Sequence, residues 1–231
     1  MSLAIVTGAA GGLGGRIGER LREAGHELLL VDLDPGVESV AAAQGAAAVV
    51  ADLTTEEGVA RVVRAAGEQV GVLVNNAGIT RDARVPKLEP AAFAAVIEIN
   101  LVAAMRLTLA LERRFADGAA VVNMSSRASL GNFGQANYAA SKSGLVGFTR
   151  ALALRWAPRV RVNAVAPSLV DTPMTQAMPP EVLEKLVAKI PAGRIGSPDD
   201  VAGTVAYLAS ADAAYVTGQL LLACGGRSLA P

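Results

Sequence analysis

The chain has 231 residues, a formal net charge of zero, 52% hydrophobic residues and only 18% charged residues. This composition is too apolar for a disordered protein, and the balanced charge without a basic block argues against nucleic-acid or anionic-membrane partners. One cysteine and one histidine exclude an internal disulfide and a cysteine-based zinc site, so we expect no metal centre. With no recognisable secretory signal and no uninterrupted apolar run near 18 residues, the sequence predicts a cytoplasmic globular protein.

Short apolar runs alternate with longer segments of helical periodicity along the whole chain. The runs are continuously apolar, which is typical of parallel strands covered by helices on both faces. The predicted strands are 4–6, 27–31, 47–51, 70–74, 119–124, 160–165 and 219–223, and the predicted helices are 13–24, 54–68, 90–115, 136–156, 180–189 and 198–210. This order predicts an α/β protein with one domain, a doubly wound parallel sheet of the Rossmann type with helices on both faces.

A glycine-rich loop lies between the first predicted strand and the first predicted helix. Gly8, Gly12 and Gly14 would let the backbone turn sharply and approach a pyrophosphate, with the helix N-terminus at Leu13 directed at the anion. No Gly-Lys-Ser/Thr follows, so the loop is not of the Walker type. A tight turn without a ligand is the alternative interpretation.

An acidic residue ends the second strand, since Asp32 stands 20 residues after Gly12. A carboxylate there can accept hydrogen bonds from both adenosine ribose hydroxyls of NAD and would repel the 2′-phosphate of NADP. No arginine precedes Gly11 in the loop or adjoins Asp32, so we expect NAD (NADH) to be preferred over NADP. Asp52 and the adjacent Leu53 are candidates for the adenine site, although a helix N-terminal turn would equally explain Asp52.

Further motifs follow in a fixed order along the chain. They are Asn75-Asn76-Ala77-Gly78, Asn100-Leu101, Ser125-Ser126 and Tyr138-Ala139-Ala140-Ser141-Lys142. Together with the glycine loop they resemble the short-chain dehydrogenase/reductase family over essentially the whole chain. Segments 77–82, 131–138 and 213–218 look most like those of 3-oxoacyl (beta-ketoacyl) thioester reductases.

The resemblance implies a nicotinamide-dependent enzyme that interconverts a ketone and a secondary alcohol by hydride transfer, and Asp32 favours NAD as its cofactor. It also implies a small carbonyl or alcohol substrate and a homo-oligomer, with a tetramer favoured. The cofactor half would span about 1–125 and the catalytic and substrate half about 126–231. A substrate lid is implied around 174–180, and Arg81, Arg84 or Arg127 are candidates for a basic entrance for a thioester carrier.

The chemistry of the last motif also follows from its residue types. Tyr138 can exchange a proton with the substrate oxygen, but an unperturbed phenol titrates near ~10. Lys142 lies one helical turn away on the same face, where its charge would favour the phenolate and lower the pKa of Tyr138. The resemblance adds that Lys142 holds the nicotinamide ribose and that Asn100 holds a water that relays protons. It also implies cofactor contacts from Asn76, Ala77, Gly78, Tyr138, Lys142, Pro167, Val170 and Thr172.

Two serines compete for the position that binds the substrate oxygen. Counting thirteen residues back from Tyr138, the usual family spacing, gives Ser125, whereas the strand alignment gives Ser126. Adjacent strand residues face opposite sides, and register is set by core packing, so we favour Ser126. Ser129 is a minor further candidate.

Three other functions stay open. The enzyme could act on another small ketone or secondary alcohol, such as a cyclic or sugar-derived one. The chain could instead be a non-catalytic nucleotide-binding scaffold, or a different Rossmann-type enzyme such as a methyltransferase, since fold alone does not determine function.

Overall fold

A seven-stranded parallel sheet forms the centre of the computed structural model, which describes residues 2–176 and 178–229. The strand order is β3-β2-β1-β4-β5-β6-β7. The strands are β1 (Leu3–Thr7), β2 (Glu27–Asp32), β3 (Ala47–Val50), β4 (Val70–Asn75), β5 (Phe115–Met124), β6 (Val160–Pro167) and β7 (Leu220–Ala223). The predicted parallel sheet of a single α/β domain is therefore confirmed.

Helices connect the strands and cover both faces of the sheet. They are α1 (Gly12–Glu23), α2 (Val37–Gln44), α3 (Glu56–Ala65), α4 (Pro90–Ile97), α5 (Ala103–Ala110), α6 (Ala136–Trp156), α7 (Pro173–Gln176), α8 (Pro180–Val187) and α9 (Pro198–Ala209). Because side chains alternate along a strand, Ala4 packs towards a layer of α1, α2 and α9, whereas Ile5 packs towards α3, α5 and α6. The central strands are thereby buried on both sides, which explains their continuous apolar sequences, whereas the edge strands β3 and β7 are only partly buried.

The predicted helix over 90–115 is divided in the structure. A π-helical segment, Glu98–Val102, joins α4 to α5, which ends at Ala110. Phe115 begins β5 and pairs with Val70 in β4, so the hydrogen bonds of the sheet replace those of a helix there. The sequence analysis also missed α2 and the short α7. Single π-turns of this kind often mark functional sites, and this one contains Asn100.

One described stretch, Pro90–Ala110, is long and apolar enough to cross a membrane by length and composition. The sequence analysis expected no uninterrupted apolar run of this length, and Glu98 and Arg106 do interrupt this stretch. These two residues form an ion pair with each other, and α4 packs against α6. The apolar side chains of this stretch therefore belong to one of the layers of helices that cover the sheet.

The strand order changes direction between β1 and β4, which are neighbours in the sheet. Chain connections after these two strands run to opposite sides, which leaves a crevice at their carboxyl ends. Ligands of open α/β sheets bind at such a switch point. The glycine loop follows β1 and the segment 76–78 follows β4, so both lie at this crevice.

Candidate active site

One cleft extends from the glycine loop to the ends of β5 and β6. It brings together residues that are far apart in sequence and that belong to both predicted halves of the chain, 1–125 and 126–231. The predicted site residues that line it are Gly8, Gly12, Leu13, Gly14, Asn76, Gly78, Ser126, Tyr138, Lys142, Pro167, Val170 and Thr172. The predicted residues Asp32, Asp52, Leu53, Ala77 and Asn100 lie outside its lining.

The glycines of the loop serve two different purposes. Gly8 has a φ of +67°, and a Cβ on Gly14 would lie 2.1 Å from the Gly8 carbonyl oxygen, so the fold of the loop itself requires both glycines. A Cβ on Gly12 would meet nothing within 4 Å. A ligand can therefore approach the backbone closely at Gly12.

The N-terminus of α1 also fits an anionic ligand. Its N-cap residue, Gly11, provides no side-chain hydrogen bond, so the first N–H groups of α1 are available to another acceptor. Such N–H groups and the positive end of the helix dipole bind phosphate groups. The loop, the free helix end and the open surface at Gly12 together fit the pyrophosphate of a dinucleotide.

Asp32 is anchored beside the glycine loop. Its two carboxylate oxygens accept hydrogen bonds from the backbone N–H groups of Ala10, at 2.9 Å, and Asp34, at 3.1 Å. Each carboxylate oxygen can accept a further hydrogen bond. Asp32 is therefore a positioned acceptor next to the proposed pyrophosphate site.

The two candidates for the adenine site differ in position. Asp52 accepts hydrogen bonds from the Thr54 backbone and hydroxyl, at 2.9 and 2.7 Å, which hold the pKa of Asp52 below its usual range. This is the helix-turn role considered above, yet Asp52 also lines a second, small cavity with Leu33 and Arg61. The side chain of Leu53 packs in the core and faces neither cavity, so only its backbone remains a candidate.

The segment after β4 holds the glycine loop in place. The Asn76 side chain donates hydrogen bonds to the carbonyl oxygens of Thr7 and Gly8, both at 3.0 Å. The Thr7 hydroxyl accepts from the N–H groups of Asn76 and Ala77 at 3.0 and 3.1 Å. A Cβ on Gly8 would lie 2.8 Å from Ala77 Cα, so the backbone of Ala77 packs directly against the glycine loop. Thr7 was not among the predicted site residues, although it stands at the end of β1 in the glycine motif.

Tyr138 and Lys142 lie one turn apart on α6 at the centre of the cleft. Lys142 Nζ is 5.6 Å from the centroid of the Tyr138 ring and donates a hydrogen bond to the Met124 carbonyl oxygen at 2.8 Å. The lysine is only 3% exposed. Burial disfavours its charged form and lowers the pKa of Lys142 to about 8.

The electrostatics of Tyr138 differ from the expectation. Burial raises the pKa of Tyr138, a hydrogen bond with Ser126 lowers it, and the nearby charge of Asp82 raises it, with a net upward shift. The expected lowering by Lys142 is therefore wrong for this structure, because desolvation of the phenol outweighs the favourable interactions. Tyr138 is a protonated hydroxyl at neutral pH.

The two serines after β5 face different environments. Ser125 is buried and donates its hydroxyl hydrogen to the Lys142 carbonyl oxygen at 2.9 Å, inside α6. Ser126 is half-buried, accepts a hydrogen bond from the Ala128 N–H at 3.1 Å and lies within hydrogen-bonding reach of Tyr138. Both serines line the cleft, but the hydroxyl of Ser125 is bound to the Lys142 carbonyl oxygen, whereas that of Ser126 is the one that lowers the pKa of Tyr138. Ser129 lies outside the cleft lining, and its Oγ is buried without a partner among the described residues.

Asn100 sits behind the cleft and is fully buried. Its Oδ1 accepts from the Ile79 N–H at 2.7 Å, and its Nδ2 donates to the Ile79 carbonyl oxygen at 2.9 Å and to Ser141 Oγ at 3.2 Å. A Cβ on Gly78 would lie 3.1 Å from Asn100 Oδ1 and 3.4 Å from Lys142 Nζ. The side-chain amide of Asn100 and the ammonium group of Lys142 therefore both lie close to the backbone of Gly78.

The far end of the cleft is formed by segments after β6 and β7. Pro167 ends β6, and the backbone at Val170 pairs with Gly196. Thr172 Oγ1 lies 3.3 Å from Thr175 Oγ1. Met178 from the predicted lid, Leu186 of α8, Ile190 after α8 and Arg227 from the C-terminal segment also line the cleft, and none was predicted as a site residue. Ala177, within the predicted lid, lies outside the described residues.

Metal binding finds no support in the part of the chain that the structure describes. No group of three or more histidine, cysteine, aspartate or glutamate side chains in residues 2–176 and 178–229 could hold a metal ion.

Comparison with known proteins identifies the family. The family model described as enoyl-(acyl carrier protein) reductase matches residues 8–228. A subunit of a hydroxy(phenyl)methyl-succinyl-CoA dehydrogenase from Thauera aromatica is 36% identical, over 98% of this chain and 96% of its own. The 3-oxoacyl-acyl-carrier-protein reductase of Escherichia coli strain K12 is 38% identical, over 97% and 96%. The crystal structure of a short-chain dehydrogenase/reductase (glucose/ribitol dehydrogenase) from Brucella melitensis matches with a TM-score of 0.95 and 31% identity, over 98% and 96%. The chain therefore belongs to the short-chain dehydrogenase/reductase family.

Proposed function

We propose that this protein is an NAD(H)-dependent oxidoreductase that interconverts a ketone and a secondary alcohol through Ser126, Tyr138, Lys142 and Asn100. Family membership makes the chain an oxidoreductase that acts on hydroxyl or keto groups of small substrates with a nicotinamide cofactor. The observation that carries the proposal is the meeting of Ser126, Tyr138 and Lys142 in a cleft that also receives the glycine loop. A non-catalytic scaffold would not need these three groups together.

Each residue of the chain then has a role in the reduction. A nicotinamide cofactor held by the glycine loop and Lys142 would supply the hydride that the carbonyl carbon accepts. The hydroxyls of Ser126 and Tyr138 hydrogen-bond the carbonyl oxygen and stabilise the negative charge that develops on it. Tyr138 gives its proton to this oxygen, because its raised pKa keeps it protonated at neutral pH. The positive charge of Lys142 stabilises the phenolate of Tyr138 that remains. Asn100 lies on the other side of Gly78 from Lys142 and continues the path by which Tyr138 regains its proton.

For the substrate, we propose a 3-oxoacyl thioester or its 3-hydroxyacyl counterpart. The support is the names of the relatives from Escherichia coli and Thauera aromatica, which refer to acyl thioesters. Another small ketone or secondary alcohol, cyclic or sugar-derived, is the alternative. The name of the matching family model refers to an enoyl substrate, so reduction of a carbon–carbon double bond belongs in the same test.

For the cofactor, we propose NAD in preference to NADP. The support is the carboxylate of Asp32, held beside the glycine loop, which suits ribose hydroxyls and repels a 2′-phosphate. The adjoining small cavity is lined by Asp52, Glu57 and Arg61, so carboxylates outnumber guanidinium groups there. The Arg61 side chain also donates a hydrogen bond to the Val50 carbonyl oxygen, at 2.6 Å.

We also propose a cytoplasmic homotetramer. Only 33% of the most apolar 18 residues in the stretch Pro90–Ala110 are buried, and Leu154 on α6 is 86% exposed. Exposed apolar surface of this kind marks protein interfaces. Light scattering should give a mass near four times 23.5 kDa, and a monomer would contradict the proposal.

The deciding experiment combines a substrate panel with matched variants. Acetoacetyl-CoA, crotonyl-CoA and cyclic and sugar-derived ketones are each assayed with NADH and with NADPH. Tyr138→Phe should lower kcat for the best ketone by about 100-fold or more, since a positioned proton donor contributes ~10²–10⁴. Tyr215→Phe is the control, because Tyr215 is fully exposed and lies outside the cleft.

A second pair tests the assignment of the serine. Ser126→Ala should lower kcat by about 10²–10³, as for the loss of one donor to a developing oxyanion. Ser125→Ala should leave kcat within a few-fold and instead lower thermal stability, because it removes the hydrogen bond to α6. Tyr138→Phe activity near wild type, or binding of NADH without turnover of any substrate, would refute the proposed function.

A further inference from the structure

The charges that line the cleft are all positive. Among the described residues, the charged members of the lining are Arg127, Lys142 and Arg227, and no aspartate or glutamate is found with them. Lys142 has its role in the proposed reaction. Neither Arg127 nor Arg227 takes part in that reaction. Arg127 is one of the candidates for the entrance of a thioester carrier, whereas Arg227 has no assigned role.

The backbone of Arg227 is held in a defined position next to the segment that follows α8. It follows β7 in a segment whose Gly225 carbonyl oxygen accepts a hydrogen bond from the Ala192 N–H at 3.0 Å. A Cβ on Gly226 would lie 3.0 Å from the ring of Pro191, so the two segments are in close contact. The backbone that carries Arg227 is therefore fixed against the residues that follow α8.

The side chain of Arg227 differs from the paired arginines of the surface. Arg16 and Arg194, for example, bind carboxylates of neighbouring helical segments. Within residues 2–176 and 178–229, no ion pair or side-chain hydrogen bond joins Arg227 to another residue, although it is half-buried. The N–H groups of its guanidinium are therefore available to an anionic ligand.

The surroundings of Arg227 indicate what kind of ligand fits. Met178, Leu186 and Ile190 add apolar side chains to the same cleft, and a Cβ on Gly225 would lie 2.8 Å from Ile190 Cγ2, so Ile190 contacts the segment that carries Arg227. Arg127 follows β5, two strands away from β7 in the sheet, which corresponds to about 10 Å. Its only side-chain hydrogen bond goes to Asn132 Oδ1, at 3.5 Å, within the described residues. The cleft therefore receives guanidinium groups from the segments that follow two different strands, β5 and β7.

We propose that Arg227 binds an anionic group of the substrate, so that the protein acts on ketones or secondary alcohols that carry a carboxylate or a phosphate. This inference rests on the proposed function and specifies its substrate class. A guanidinium suits such a group because it donates two parallel hydrogen bonds to carboxylate or phosphate oxygens. The anion has two possible sources, a carboxylate at the far end of the acyl chain and the phosphates of a thioester carrier.

The experiment compares substrates that differ in charge alone or in the source of the charge. The 1-ethyl monoester of 3-oxoadipate carries a free carboxylate, its diethyl ester is neutral, and acetoacetyl-CoA carries phosphates. All three are assayed with wild type, Arg227→Met, Arg227→Lys and the control Arg22→Met, which removes an exposed arginine of α1 outside the cleft.

Arg227→Met should lower kcat/KM for the monoester, for acetoacetyl-CoA, or for both by about 10- to 100-fold, the range for a lost hydrogen bond between charged groups. It should leave the diethyl ester within twofold, and Arg227→Lys should restore part of the loss. The substrate that responds identifies the source of the anion. Equal losses on all three substrates, a higher KM for NADH with every substrate, or no change on the two anionic substrates would each overturn the inference.

Failure of the proposed function would look different from failure of this inference. If wild type reduces no ketone, the function fails, and calorimetric binding of adipate and of coenzyme A to the NAD-loaded protein decides the inference. Binding of either compound that is at least tenfold weaker in Arg227→Met supports an anion site. Equal binding in the two proteins, or no binding to wild type, overturns it.

Discussion

Lys142 should destabilise the folded protein at neutral pH, and Lys142→Met should remove that cost. The pKa of Lys142 falls from the ordinary value of 10.5 to about 8 because the ammonium is buried. Each pKa unit corresponds to about 1.4 kcal/mol, so keeping the buried lysine charged costs about 3 kcal/mol at pH 7. Methionine has no charge to desolvate, but it leaves the Met124 carbonyl oxygen without its hydrogen bond, at a cost of about 1–3 kcal/mol. The variant should therefore be as stable as wild type or up to about 2 kcal/mol more stable at pH 7.

The pH dependence tests the cause and not merely the size of this effect. A lysine whose pKa is lowered on folding binds fewer protons in the folded state, so the penalty is complete below pH 8 and fades as the pH rises towards 10.5. Urea unfolding of both proteins at pH 7, 8, 9 and 10 isolates this contribution, because other groups titrate alike in the two proteins. Wild type should gain about 2–3 kcal/mol relative to Lys142→Met between pH 7 and pH 10. A difference in unfolding free energy that does not change with pH would refute the reasoning.

Three further outcomes are expected. Ketone reduction needs Lys142 charged, so kcat should fall as the pH rises through about 8 and be about tenfold lower at pH 9, whereas a flat profile up to pH 9.5 would contradict this role. Asp32→Ser removes the charge that repels a 2′-phosphate, so the ratio of kcat/KM for NADPH over NADH should rise at least about tenfold, and a wild-type preference for NADPH would refute the argument. Gly12→Ala should leave thermal unfolding unchanged and weaken NADH binding measured by fluorescence, whereas Gly14→Ala should lower the melting temperature, because only the second Cβ collides with the loop. A lowered melting temperature in Gly12→Ala would contradict the assignment of its open surface to the cofactor.

Much of the fold follows from local sequence patterns. A strand that is buried on both faces must be apolar at every position, so the strands of this sheet are recognisable one by one. Buried polar residues interrupt that pattern at several points; Asn75 and Asn123, for example, are paired across β4 and β5 and hydrogen-bond each other at 2.8 Å. The course of the chain after Ala110 was not predictable in this way. Phe115 has an apolar side chain that fits a helix as well as a strand, and its pairing with Val70 depends on a residue 45 positions away.

The sequence by itself determined the motifs and the order in which they occur. The glycine loop, Asp32 and the spacing of Tyr138 and Lys142 are local patterns, because their chemistry depends on residue type and on distance along the chain. Which serine faces Tyr138 was decided only by the tertiary structure, because α6 must pack over the end of β5 before the hydroxyl of Ser125 is occupied by the Lys142 carbonyl oxygen. The pKa values of Tyr138 and Lys142 also depend on that packing, since desolvation is a property of the enclosing fold. The same holds for Arg227, which lies 85 residues after Lys142 and lines the cleft only because β7 packs beside β6.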